Sequence, residues 1–408
     1  MPRLLAIALS ALATTLLLPA GAGAASPDAE QGVRAKPLAH ASAFVPDDPG
    51  SGATPGGWKD TQWNFVGPYG VDALGAWRHL IAKGRPGGVG VTVAVLDTGV
   101  AYRTSGSDRK SPDLRPARFV RGYDFVDGDD RPTDRNGHGT HVASTIAEAT
   151  DNGIGVTGLA YGVRIMPVRV LGDDTLGSKS NLSRGIRWAV THGADIINVS
   201  FNVDAYQPAT EWSNLLAAVR AARAAGVLVV AASGNENADV LGLPARSRSA
   251  IAVAASTEHG CLSDYANTGS GLDLVAPGGG ADADLAGDPR CDPDDDGLRD
   301  IFQVTLEGPL KDRFGLPGGY EGTSMAAPHV SAAAALVIAS GVLGRNPTPA
   351  AVQQRLQDTA RDLGAPGYDR RYGWGLLDAA AATRPGPPVR RSAPPAPATP
   401  GLAPPAAG

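Results

Sequence analysis

Five short, unbroken apolar runs separated by stretches of helical periodicity leave few folds open to this chain. Residues 91–96, 163–171, 195–201, 227–232 and 251–255 read as strands. A strand that is apolar on successive residues must be covered on both faces, which is the condition of a parallel sheet flanked by helices. Helical spacing recurs between the strands, in Leu182, Ile186 and Ala189 and again in Trp212, Leu215, Leu216, Val219 and Ala222. Residues 326–339 read as a buried, alanine-rich helix and 349–360 as a more amphipathic one, with Gly162, Gly193 and Gly226 at junctions. The expected fold class is therefore α/β, a mainly parallel central sheet with helices on both faces.

Ligands of such sheets sit beyond the carboxyl ends of the strands. Asp97, Ser200 with Asn202, and Asn235 each follow a predicted strand, while His138 and Ser324 open helices whose starts face the same edge. Ser324 lies in Gly322-Thr323-Ser324-Met325-Ala326-Ala327-Pro328-His329, behind a glycine and ahead of an apolar helix. Its backbone amide would occupy the positive end of a helix dipole, where a developing oxyanion is stabilised. A serine hydroxyl is a weak nucleophile that needs a base, and the base needs an orienting group. Asp97, in Val93-Ala94-Val95-Leu96-Asp97-Thr98-Gly99, and His138, in Asn136-Gly137-His138-Gly139-Thr140-His141-Val142, supply the two. His141 competes for the base role, and His138 with His141 could share a metal. Zinc hydrolases, however, place such ligands at i and i+4 with an adjacent glutamate, which is missing here. Taken singly, Asp97 could cap a turn, His138 could be a loop histidine and Ser324 a helix cap.

The three strings together, in the chain order Asp, His, Ser, resemble the subtilase family of serine peptidases over roughly residues 58–383. The resemblance implies a three-layer subtilisin-like fold with Ser324 as nucleophile, His138 as general base and then acid, and Asp97 as the orienting carboxylate. Asn235, in Ala231-Ala232-Ser233-Gly234-Asn235-Glu236-Asn237, matches the family's oxyanion asparagine. Ser200, Phe201 and Asn202, with Ala232, Ser233 and Gly234, match segments that line the pocket for the residue on the acyl side of the cut. Gly242 would leave room at its base, and a broad preference for large apolar side chains is expected. Three sets of oxygen donors resemble calcium sites of the family. Asp124, Asp127 and Asp129 alternate just before the histidine loop and would repel one another without a hard cation or full solvation. Asp292, Asp294 and Asp296, with Asp300, follow the early half of an oxygen-ligand loop, though no glutamate closes it as in an EF-hand. Gln62, Asp113 and Asn152, with the carbonyls of Ile154 and Val156, resemble the family's strongest site. Solvated acidic loops are the alternative for all three.

Residues 1–24, a basic start followed by the apolar stretch from Leu4 to Leu18 and Ala22-Gly23-Ala24, read as a secretory signal, so export is expected. The apolar stretch falls short of the roughly 18 to 20 residues that span a bilayer, and no transmembrane anchor is expected. Residues 25–57 read as a flexible leader or short prosegment, and 384–408 as a Pro/Ala-rich unpacked tail. Net charge is only −5, without a basic stripe, which gives no support to nucleic-acid binding. Cys261 and Cys291 are an even pair in an apparently exported chain and point to a disulfide. The segment 278–319 is longer than in compact subtilases. The expectation is a secreted, monomeric serine endopeptidase acting on protein or peptide substrates, with structural calcium and no catalytic cofactor. The alternative is a catalytically silent peptide-binding or calcium-dependent surface protein on the same fold.

Overall fold

The computed structural model describes residues 44–106, 108–114, 118–295 and 297–392. Eight strands form the central sheet: β1 (Thr92–Asp97), β2 (Arg118–Phe119), β3 (Tyr123–Asp124), β4 (Arg164–Arg169), β5 (Ile196–Val199), β6 (Leu228–Ala232), β7 (Ile251–Ser256) and β8 (Leu274–Pro277). Their order is β2-β4-β1-β5-β6-β7-β8, with β3 also on β4, and every pair is parallel. All residues of β1, β5, β6, β7 and β8 are buried, as strands covered on both faces must be. Beside this sheet stand an antiparallel hairpin, β9 (Thr305–Glu307) with β10 (Arg313–Gly315), and a short parallel pair, β11 (Arg361–Asp362) with β12 (Arg391–Ser392).

The helices are α1 (Trp58–Thr61), α2 (Trp63–Val66), α3 (Ala73–Ala82), α4 (His138–Ala147), α5 (Lys179–Thr191), α6 (Ser213–Ala224), α7 (Thr323–Ser340), α8 (Pro349–Thr359) and α9 (Ala379–Thr383). α4 and α7 pack against one face of the sheet with α3 and α9 outside them, and α5 and α6 cover the other. In α5 the Ser178 hydroxyl accepts the Asn181 amide as an N-cap, and Leu182, Ile186 and Ala189 turn one stripe inward. α7 is buried nearly all round. It is the one helix among the described residues long and apolar enough to cross a membrane, yet here it forms the centre of the core.

The packed region reaches further than the sequence suggests at both ends. Residues 44–57, read as part of a flexible leader, lie against the 150–155 loop. The buried Asp48 carboxylate accepts the amides of Asp151 and Asn152 at 2.9 Å each, and Gly50 N donates to Gly155 O at 2.8 Å. The Trp58 indole donates to Pro46 O at 3.0 Å. At the other end, β12 and the Arg355 guanidinium, which donates to the carbonyls of Ala382, Arg384 and Gly386, extend the domain beyond residue 383. Polar capping of this kind leaves no hydrophobic period to read. The signal segment 1–24 and residues 393–408 lie outside the described residues. Cys261 and Cys291 form the expected disulfide.

Candidate active site

β1 ends on Asp97 at the carboxyl edge of the sheet, and α4 begins at His138 beside it. His138 Nδ1 donates to Asp97 Oδ1 at 2.7 Å, which fixes the tautomer and leaves Nε2 as the acceptor. Gly139 makes this approach possible, since a Cβ there would lie 2.1 Å from Gly99 O. The loop between the two is organised by Asp134, which sequence reasoning missed. Its Oδ1 accepts the Thr98 hydroxyl and the amides of Asn136 and Gly137, each at 2.9 Å. Its Oδ2 accepts the Thr140 amide at 2.9 Å and hydroxyl at 2.6 Å. Burial opposes a charged His138 ring, but the Asp97 carboxylate outweighs it, with a smaller contribution from Asp134, and holds the imidazole above its ordinary value of 6.5.

Ser324 occupies the first turn of α7, and Pro328 stands four residues on. Proline carries no N–H, so the Ser324 carbonyl loses its helical partner. The Ser200 hydroxyl donates to it instead at 2.8 Å, itself accepting from Asn198 Nδ2 at 2.8 Å. The Ser324 hydroxyl donates to Ser200 O at 2.9 Å, and among the described residues no hydrogen bond joins it to His138. Apo serine–histidine contacts commonly tighten only when substrate binds. Asn235 Oδ1 accepts both the Thr323 amide at 3.0 Å and the Thr323 hydroxyl at 2.8 Å. That commits the oxygen and turns Nδ2 out as a donor. A Cβ on Gly322 would sit 3.3 Å from Asn235 Nδ2 and 3.6 Å from Ser324 N, so the two donors flank one small space.

The segments expected to line a substrate pocket stand at the ends of β5 and β6. Phe201 is only 8% exposed and packs into the core. Asn202 Nδ2 donates to Glu236 Oε1 at 2.7 Å, and Asn267 Nδ2 donates to the other Glu236 oxygen. Asn267 also accepts the amides of Glu236 at 3.0 Å and Ala238 at 2.9 Å, while Ser233 Oγ donates to Asn267 O at 2.8 Å. Gly234 has φ of 113°, and a Cβ on it would meet Asn267 Nδ2 at 2.2 Å. Ala232 and Ser233 are buried beside it. Gly242 does not leave room: a Cβ there would lie 2.8 Å from Val203 O and 3.1 Å from Asn202 Cβ, so its missing side chain admits a neighbouring backbone.

His141 is no rival base. Burial pushes it down to about 3, and its Nε2 donates to Ile301 O at 2.9 Å with its ring stacked on Tyr320. The presumed calcium sets fare unevenly. Asp124 Oδ2 and Asp127 Oδ2 each sit 2.8 Å from Arg169 Nη1, and Asp173 Oδ1 sits 2.8 Å from Nη2. Asp124 Oδ1 accepts the amides of Val126 at 2.8 Å and Asp127 at 2.9 Å, and Asp129 Oδ1 that of Arg131 at 2.8 Å. A guanidinium thus answers the repulsion, and these oxygens do not fit a cation cage. Gln62 Oε1 accepts the Thr157 amide at 2.9 Å and hydroxyl at 3.0 Å, and Asn152 Oδ1 accepts the Ile154 amide at 2.9 Å. Asp113 accepts Asn152 Nδ2 at 2.8 Å and Val156 N at 3.1 Å. Burial raises Asp113 to about 8 and its neighbour Glu148 well above its ordinary range. The side-chain oxygens of this set already accept N–H and O–H donors, so as arranged they do not form a calcium cage. Around the third set, the Asp292 amide donates to Asp282 Oδ2 at 2.8 Å, Asp300 Oδ2 accepts Gly319 N at 2.7 Å, and Asp294 is exposed. Asp296 lies outside the described residues. Among the described residues no group of three His, Cys, Asp or Glu side chains is arranged to hold a metal ion.

Comparison with known proteins carries the geometry further. A solved protease from Pseudoalteromonas arctica PAMC 21717 superposes with a TM-score of 0.65 at 30% identity, covering 83% of this chain and 99% of its own. Alkaline elastase YaB from Bacillus sp. (strain YaB) is 38% identical over 78% of this chain and 70% of its own length. Subtilisin BL from Lederbergia lenta is 38% identical over 73% of this chain and 92% of its own. The Subtilase family model matches residues 88–375, which include Asp97, His138, Asn235 and Ser324. With β1, α4 and α7 delivering a carboxylate, an imidazole and an alcohol to one edge of a parallel sheet, the chain belongs to the subtilase family and is a subtilisin-like serine protease.

Proposed function

We propose that this serine protease is a secreted endopeptidase that works through an acyl-enzyme, with Ser324, His138 and Asp97 as its triad. The single observation that carries the assignment is the 2.7 Å bond from His138 Nδ1 to Asp97, which leaves Nε2 free to accept a proton. Ser324 Oγ attacks the scissile carbonyl carbon and passes its proton to His138 Nε2, while Asp97 stabilises the imidazolium. The oxyanion draws on the Ser324 amide and Asn235 Nδ2. His138 then gives the proton to the departing amine, and a water repeats the sequence in reverse to free the acid. On the acyl side, Ser200 to Asn202 and Ala232 to Gly234 flank the substrate residue, and the Asn202–Glu236 contact narrows the apolar room expected there.

Export rests on the signal-like segment 1–24. Structural calcium is retained as a proposal only for the loop holding Asp292, Asp294, Asp296 and Asp300, on resemblance; chelation should lower the thermal midpoint if that loop holds the ion. The test of the activity is cleavage of a peptide library by the secreted protein, read by mass spectrometry, with Ser324→Ala alongside. Internal cuts that vanish in Ser324→Ala are expected. Cuts that persist in that variant would sink the assignment.

A further inference from the structure

The segment between β8 and α7 is bolted along one face of the helix that carries His138. Thr305 Oγ1 donates to Gly137 O at 2.5 Å, His141 Nε2 to Ile301 O at 2.9 Å, Ser144 Oγ to Val304 O at 3.2 Å, and Val304 N to Glu148 Oε1 at 3.0 Å. Positions 137, 141, 144 and 148 form one i, i+4, i+7, i+11 stripe, so the attachment runs the whole length of α4. The first residue of β9 is therefore fixed against the residue that precedes His138. A Cβ on Gly137 would meet Tyr320 Oη at 2.9 Å and Leu306 O at 3.0 Å, which shows how tightly hairpin and histidine loop are joined.

Chemistry gives this placement a meaning. The general acid must protonate the departing nitrogen, so the leaving half of a peptide passes on the His138 side of Ser324. The acyl-side segments lie on the other, where Ser200 Oγ meets Ser324 O and Gly234 N meets Thr323 Oγ1. We propose that the β9–β10 hairpin is a wall of the leaving-group side of the cleft and binds an apolar residue of the departing peptide through Leu310 at its tip. Leu310 is 82% exposed, the highest value among large apolar side chains of the described residues. A three-residue strand spans about 10 Å, which sets the contact at roughly the third residue beyond the cut.

The inference rests on the acyl-enzyme reading above, and the experiment separates the two. A peptide ester acylates the enzyme, and added amines compete with water for the acyl group, so the aminolysis-to-hydrolysis ratio reports binding on the leaving side alone. A leucine-rich tetrapeptide amide should partition about tenfold better than glycinamide, the value of burying one leucine. Leu310→Ser should remove that advantage while Leu310→Met keeps it, and glycinamide partitioning monitors the fold of both. An unchanged tetrapeptide-to-glycinamide ratio in Leu310→Ser overturns the hairpin's role. Failure of the parent enzyme to form an acyl-enzyme from the ester overturns the catalytic reading and this inference with it.

Discussion

Single residues set the chemistry here through what they lack as much as through what they carry. Because the Asp97 carboxylate holds His138 above 6.5, the proposed base is neutral, and therefore competent to take a proton, only above that raised value. Activity should rise with pH through a midpoint above 6.5 and be lost as pH falls through it, as a kcat/KM profile would show. Asp97→Asn should cost about 10⁴-fold in kcat, since the wrong tautomer is then favoured. Pro328 leads to a second expectation. With no proline N–H available, Ser200 is the donor to the Ser324 carbonyl, and Ser200→Ala should destabilise by about 1–3 kcal/mol by stranding it. Adding Pro328→Ala restores the helical donor and should recover part of that loss in denaturant titrations; strict additivity would refute the link. The residues proposed as the triad, and Asn235, stood out in the sequence because each sits in a distinctive string beside glycine. Asp134 and Asn267 were not, because a buried carboxylate or amide that organises loop N–H groups has no spacing of its own. A carboxylate four residues before His138 is the only hint Asp134 leaves.

At the scale of elements, continuous apolar runs gave away β1, β4, β5, β6 and β7, and helical period gave away α5 and α6. β9 and β10 are three residues each, too short to show any period. Charge patterning misled for a physical reason. Asp124, Asp127 and Asp129 imply a counter-charge, but sequence cannot say that Arg169, some forty residues later on β4, provides it. The Arg169 side chain is 3% exposed and Asp124 1% exposed, so this is a buried pair, and losing the guanidinium strands the Asp124 carboxylate while Asp127 and Asp173 keep their water. Arg169→Met should therefore destabilise by about 3–5 kcal/mol. Added calcium should restore part of the thermal midpoint in that variant and do little at this loop in the parent. An equal calcium response in both proteins would show that the guanidinium is not the counter-charge.

For the whole molecule, the question is where the enzyme begins. Composition made residues 25–57 read as a flexible leader or short prosegment, yet residues 44–57 hold the loop between α4 and β4 by capping its amides. Asp47 and Asp48 reach Asp151, Asn152 and Gly153, and Gly50 reaches Gly155. Those contacts close the loop whose Asn152 and Val156 donate to the buried Asp113, and Glu148 at the end of α4 in turn holds Val304 of the segment bolted to α4. A chain starting at Trp58 loses several hydrogen bonds to carboxylates, each worth about 1.5–3 kcal/mol at most and less where water replaces the partner. Its thermal midpoint should fall by several degrees, since about 1 kcal/mol moves a domain of this class by roughly 2–4 °C. Asp48→Ala in the longer chain should reproduce a good part of the fall. If the chain is processed, the cut should fall upstream of Pro46, and the amino terminus of the active protein, read by mass spectrometry, should lie before that residue. A fully stable, fully active enzyme that starts at Trp58 would show that these caps hold nothing the domain needs.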